Sequence, residues 1–109
     1  MASIETKFFT FSQNNSGGSF DHNSDAGIGY IVCVEAADAD HANSRAKSIG
    51  LYFDGCADGI DCPCCGDRWY PAWGGGDPVP MKYGEPLKGE WGIPAYIHYL
   101  DGRIEAVSA

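Results

Sequence analysis

Residues 29–50 constrain this chain more than any other stretch, because they spell one strand followed at once by one capped helix. Gly29 to Glu35, GYIVCVE, sets Tyr30, Val32 and Val34 on one face and Ile31 and Cys33 on the other, with the β-branched and aromatic side chains that strands favour. Asp38 then stands where an N-cap belongs, and the helix it opens runs to about Ile49, where Gly50 supplies the C′ stop. Ala39, Ala42, Ala46 and Ile49 recur at helical spacing and make a narrow stripe of small side chains. Such a stripe lets a helix sit close against a sheet. His41, Arg45 and Lys47 fall off it and are expected in solvent.

The flanking segments extend the sheet. Lys7-Phe8-Phe9-Thr10-Phe11-Ser12 reads as a first strand, Leu51-Tyr52-Phe53 as a short extended piece, and RWYPAW (68–73) as another. The end of the chain, AYIHYL-DG-RIEAV, reads as a hairpin, with Asp101-Gly102 favouring a type I′ turn. Residues 74–94 hold ten Gly or Pro in twenty-one positions, an irregular excursion of the kind that often carries function. No internal repeat is present. A chain of 109 residues has the length of one domain. The expected fold class is α+β: a single small domain over residues 1–109, an antiparallel or mixed sheet with one helix packed on a face and a C-terminal β-hairpin.

Charge narrows the partners. The net charge of −8 argues against non-specific binding to nucleic acid, which needs a basic face. It leaves room for a local basic spot from Arg68, Lys82, Lys88 and Arg103, or for a basic protein partner. The opening MASIETKFFTFSQNN lacks the basic and apolar regions of a secretory signal, and no run approaches the ~18 apolar residues of a membrane span. The expected compartment is therefore cytosolic and reducing, which favours metal binding over disulfides for the five cysteines.

Three of those cysteines crowd into DCPCCGDRWY, residues 61–70. Cys62 and Cys65 form a C-x2-C pair followed by Gly66, the form of a zinc knuckle in which glycine lets the backbone turn its N–H groups toward the sulfurs. Cys56, six residues upstream of Cys62, is the candidate third ligand, and Cys64, His98 or His41 the candidate fourth. The pattern lacks a second C-x2-C or C-x2-H half. A tight turn with idle thiols, and a redox or disulfide role, remain the competing readings. Cys33, inside a strand, reads as core.

Two other stretches carry binding chemistry. NNSGGSF, residues 14–20, can turn backbone N–H groups into an anion-binding nest, though an ordinary loop has the same composition. Arg68, Trp69, Tyr70 and Trp73 place a cation and flat rings close together, suited to stacking on a base or pairing with a phosphate. The competing reading puts Trp69 and Trp73 in the core.

With FFTFSQNNSGGSF, ADADHANSRAKSIGLYFDG and DCPCCGDRWY on the page, the chain resembles a family of small bacteriophage-encoded proteins of uncertain role. The resemblance covers about residues 7–73 and implies a setting, the cytoplasm of a bacterial host. It supplies neither mechanism nor ligand. Carried over position by position, it points to Asn14, Asn15, Ser16, Gly17, Gly18, Ser19, Cys62, Cys64, Cys65, Gly66, Asp67, Arg68 and Trp69. Tyr70 joins the ligand-binding set on its chemistry, and Cys56 lies outside the family motif.

Three functions follow in order. The first is a non-enzymatic counter-defence or host-takeover protein that sequesters a small anionic ligand such as a nucleotide immune signal. It would use the 14–19 loop for phosphates and Arg68 with an aromatic for the base. The second is a zinc-stabilised adaptor that inhibits a host protein through its acidic surface. A cysteine- or metal-dependent enzyme comes last, for want of a base–nucleophile pair or an open three-ligand metal site. No membrane partner is expected. A homo-oligomer holding its ligand between subunits is left open.

Overall fold

The computed structural model describes residues 6–13, 23, 25–53, 69–82, 85–87, 89 and 93–107. Their elements run β1 (Lys7–Ser12), β2 (Ile31–Ala36), α1 (Ala39–Ile49), β3 (Met81–Lys82), β4 (Glu85–Pro86), β5 (Ala95–His98) and β6 (Ile104–Val107). Four strands make a mixed sheet in the order β1-β2-β5-β6. β1 is antiparallel to β2, β2 parallel to β5, and β5 antiparallel to β6. The domain is α+β, as its strand–helix–hairpin pattern implies.

The helix forms where its caps dictate. Asp38 Oδ1 accepts the backbone N–H of His41 at 2.8 Å, and the N–H groups of Gly50 and Leu51 close on the Ala46 carbonyl at 3.2 and 3.0 Å. Ala42 and Ala46 are fully buried, so the backbone of α1 comes close to β2 with no long side chain between them. This face of the sheet holds Phe9, Phe11, Val32, Val34, Leu51 and Trp69 in one core.

Arg45 departs from expectation. It does not point into solvent: its guanidinium donates to the carbonyls of Glu35 (2.6 Å), Tyr99 (3.0 Å) and His98 (3.4 Å). Those carbonyls lie at and just beyond the carboxyl ends of the two parallel strands, and the long side chain reaches them because α1 starts beside that end.

The second face is also covered. Ile31, Cys33, Ala95 and Ile97 form a core with Leu87, so the Gly/Pro-rich excursion returns to the sheet through Leu87 just after β4. Burial on both faces explains why β2 reads IVCV without a polar break. Tyr30 packs with this second cluster rather than with Val32 and Val34, because strand alternation starts only at Ile31.

The hairpin is a three-residue loop, not the two-residue type I′ connection expected from Asp101-Gly102. Gly102 N–H donates to the Tyr99 carbonyl at 3.0 Å, and Tyr99 N–H to the Arg103 carbonyl at 2.8 Å, so Leu100, Asp101 and Gly102 all lie in the loop. Gly102 takes a left-handed step (φ 94°), and Asp101 Oδ1 accepts the Arg103 N–H at 2.9 Å. Leu51–Phe53 and residues 69–73 have no strand pairing. Among the described residues no helix is long and apolar enough to cross a membrane.

Candidate functional site

Among the described residues β1 ends the sheet order as an edge strand, and what runs beside it defines the site. Trp69 is 1% exposed in the helix-side core and anchors the chain as it emerges from the cysteine region. Phe53, at the other end of that region, stacks on Phe11 at 5.9 Å. Both flanks of the cysteine region therefore rest on one core.

Beyond Trp69 the chain is held at three points. Asn43 on α1 clamps residue 72 from both sides, accepting the Ala72 N–H at 2.6 Å and donating to its carbonyl at 3.1 Å. Asp77 exchanges two backbone bonds with Phe8 at 2.8 and 2.9 Å. Thr10 Oγ1 donates to the Met81 carbonyl at 2.7 Å. Between the first two ties the chain bows away from β1. Gly76 closes the bow because its left-handed backbone (φ 71°) and its approach to Lys7 and Phe9 leave no room for a Cβ.

The bow encloses an open groove of about 540 Å³ lined by residues 8–12, 70–77 and Met81. Its size falls within the range of small-molecule sites, about 300–1,000 Å³. Tyr70 (55% exposed) and Trp73 (88% exposed) line it while remaining open to solvent.

Cys33 is buried beside the groove residue Thr10, its Sγ 3.6 Å from Thr10 Oγ1. Burial pushes its pKa up to about 12, partly opposed by the Thr10 hydrogen bond and reinforced by the Asp77 carboxylate. The thiol is protonated at neutral pH and serves as core, as its strand position implied.

Of the residues the sequence singled out, the structure brings Tyr70 to the groove and sends Trp69 into the core, away from any ligand. The physical reason is the near-extended chain, in which successive side chains take opposite sides. Trp73, for which a core position was the competing reading, is the most exposed large hydrophobic residue described. Asn14, Asn15, Ser16, Gly17, Gly18, Ser19, Asp67 and Arg68 lie outside the described residues, as do Cys56, Cys62, Cys64 and Cys65.

The two histidines considered as fourth metal ligands each have one ring nitrogen engaged. His98 Nε2 meets the Gly27 carbonyl at 2.8 Å, so that nitrogen carries the proton. Burial lowers the His98 pKa, with Arg45 adding to the effect against the Gly27 hydrogen bond. His41 Nδ1 accepts the Ala37 N–H at 3.1 Å. Among the described residues no three His, Cys, Asp or Glu side chains gather as a metal site.

Sequence reasoning missed Asn43 and the β1 edge. Asn43 left a trace: it is a polar residue set within the Ala39–Ala42–Ala46 stripe, where only a polar partner across the interface would justify it.

Fold and groove together define a single α+β domain whose edge strand is flanked by an aromatic-lipped cleft. The chain belongs to the family described as a domain of unknown function, DUF7296, which matches residues 6–109 and so takes in the Gly/Pro-rich segment and the terminal hairpin. No curated protein and no solved structure matches it.

Proposed function

We propose that this is a phage-encoded, non-enzymatic binding protein that sequesters a small anionic ligand of the nucleotide class in the groove beside β1, acting in counter-defence or host takeover. The observation that carries this reading is the exposed Tyr70–Trp73 pair on a groove of ligand size. Aromatic faces held open in this way suit base stacking, worth about 1–3 kcal/mol per base.

Chain connectivity adds support. Ser12 lines the groove, and Asn14–Ser19 begin two residues further on; Tyr70 lines it, and Arg68 stands two residues before. Both stretches with phosphate-binding chemistry thus stand within two residues of the groove lining in sequence. The phage setting rests on the sequence motifs.

A thermal-shift panel of cyclic and linear nucleotides tests the proposal. A ligand at a hundred times its Kd stabilises by about 2.7 kcal/mol, a shift of roughly 10 °C or more. Trp73→Ala is expected to cut that shift by at least a third. A flat panel sinks the reading, and a lysate pulldown that weakens with salt would instead favour the acidic adaptor.

Zinc is proposed as a structural partner of Cys62 and Cys65, with Cys56 and Cys64 completing the set. Elemental analysis of protein purified without chelator is expected to give close to one zinc per chain; a content near zero removes it.

A further inference from the structure

We infer that the ligand's base is read by the main chain of β1, through the outward backbone groups of Thr10 and Ser12, while Tyr70 and Trp73 hold its faces. This rests on the nucleotide reading above and adds how the base is recognised.

The argument starts from strand alternation. In an antiparallel pair every second residue turns its N–H and C=O toward the partner strand, and those between turn away. Gln13 N–H donates to the Tyr30 carbonyl at 2.8 Å, which puts Lys7, Phe9, Phe11 and Gln13 in the set facing β2. Phe8, Thr10 and Ser12 face outward. Phe8 shows this directly, since both of its backbone groups bond Asp77. Thr10 and Ser12 have no backbone partner among the described residues.

The groove confirms where they point. Five consecutive residues of β1, Phe8 to Ser12, line it, although their side chains alternate between the two faces of the sheet. A cavity that meets consecutive residues of a strand is meeting its main-chain edge.

The groove itself selects the occupant. The Asp77 bridge closes the edge at Phe8, and among the described residues Thr10 and Ser12 follow with outward groups about 7 Å apart at the usual rise per residue. The exposed Tyr70 and Trp73 rings on this groove of about 540 Å³ suit a flat, ring-sized group that the two residues can hydrogen-bond.

The chemistry matches as well. Each outward residue presents one N–H and one C=O side by side, the same donor–acceptor couple with which an Asn or Gln amide reads adenine. Nucleobases carry a complementary acceptor and donor on neighbouring atoms. A flat hydrocarbon carries neither, and a sugar phosphate offers hydroxyl donors and acceptors but no flat face for the two rings.

Amide hydrogen exchange by NMR, on the full chain with and without AMP, GMP, CMP and UMP, is the direct test. The tightest binder is expected to slow exchange at the Thr10 and Ser12 amides at least tenfold, and ribose 5-phosphate to leave them unchanged. Ser12→Pro deletes only an outward N–H, which an edge strand tolerates. It is expected to weaken that nucleotide by about tenfold, the loss of part of a bidentate contact.

Nucleotide binding that is weakened in Trp73→Ala, yet leaves both amides unprotected, overturns main-chain recognition and spares the groove. Absence of binding by every nucleotide overturns both. The exchange measurement uses the wild-type protein, so the outcome stands even where the proline variant fails to fold.

Discussion

Two tryptophans four residues apart should respond to the same substitution in opposite ways. Trp69 is 1% exposed and Trp73 88% exposed, yet both occur in the run RWYPAW. Burying a tryptophan removes on the order of 250 Å² from water. At about 25 cal/mol per Å² that is roughly 6 kcal/mol, an upper bound because the unfolded chain already shields part of that surface. Trp69→Ala is therefore expected to cost about 3–5 kcal/mol, the range measured for large aromatic truncations. Against a total stability of about 5–15 kcal/mol this removes much of the margin. The melting temperature should fall by roughly 15 °C or more.

Trp73→Ala takes away a ring already in water, so its stability cost should stay within about 0.5 kcal/mol. Its effect belongs to binding. Paired thermal and urea melts followed by circular dichroism check the contrast, with nucleotide titration of Trp73→Ala as the functional arm. Equal destabilisation by the two variants, or a larger loss in Trp73→Ala, would refute the assignment of one ring to the core and the other to the groove.

Other perturbations probe the supports of the site. Gly76→Ala forces a Cβ to within 2.8 Å of Lys7 Cβ at a left-handed position, and should cost about 2 kcal/mol and loosen the Phe8–Asp77 bridge, read as faster Phe8 amide exchange. Gly75→Ala, where a Cβ meets nothing within 4 Å, is the control and should be tolerated. Arg45→Met keeps the aliphatic stem but strips the bonds to Glu35, His98 and Tyr99, for an expected loss of about 2 kcal/mol in urea unfolding. His98 has its pKa lowered from 6.5 in the fold, so the unfolded chain binds the extra proton first. Its contribution is complete above pH 6.5 and is lost as pH falls through the folded value. Urea midpoints between pH 7.5 and 5 should decline, and His98→Gln should flatten that slope; an unchanged slope removes His98 as the cause.

Much of the fold was legible locally. The Asp38 cap, the Gly50 stop, the alanine stripe and the first strand each depend on a residue and its near neighbours, and each stands where its chemistry places it. Errors came where partners lie far apart in sequence. Arg45 looked solvated because the carbonyls of His98 and Tyr99, more than fifty residues on, cannot be seen from the helix. The Asp101-Gly102 pair suggested a two-residue turn, but the β5–β6 register admitted Leu100 to the loop.

The candidate site divides in the same way. Composition alone determined that aromatic, polar and glycine-rich residues cluster around 68–76, and periodicity determined that β1 would be a strand. Neither could say that β1 lies at an edge, that residues 70–77 bow beside it, or which tryptophan faces water. Those facts depend on strand order and on the Asn43–Ala72 and Phe8–Asp77 ties, contacts across 29 and 69 residues of chain. Local sequence specifies what a segment can form. Only the closing of long-range contacts decides which backbone groups and which rings are left facing the groove.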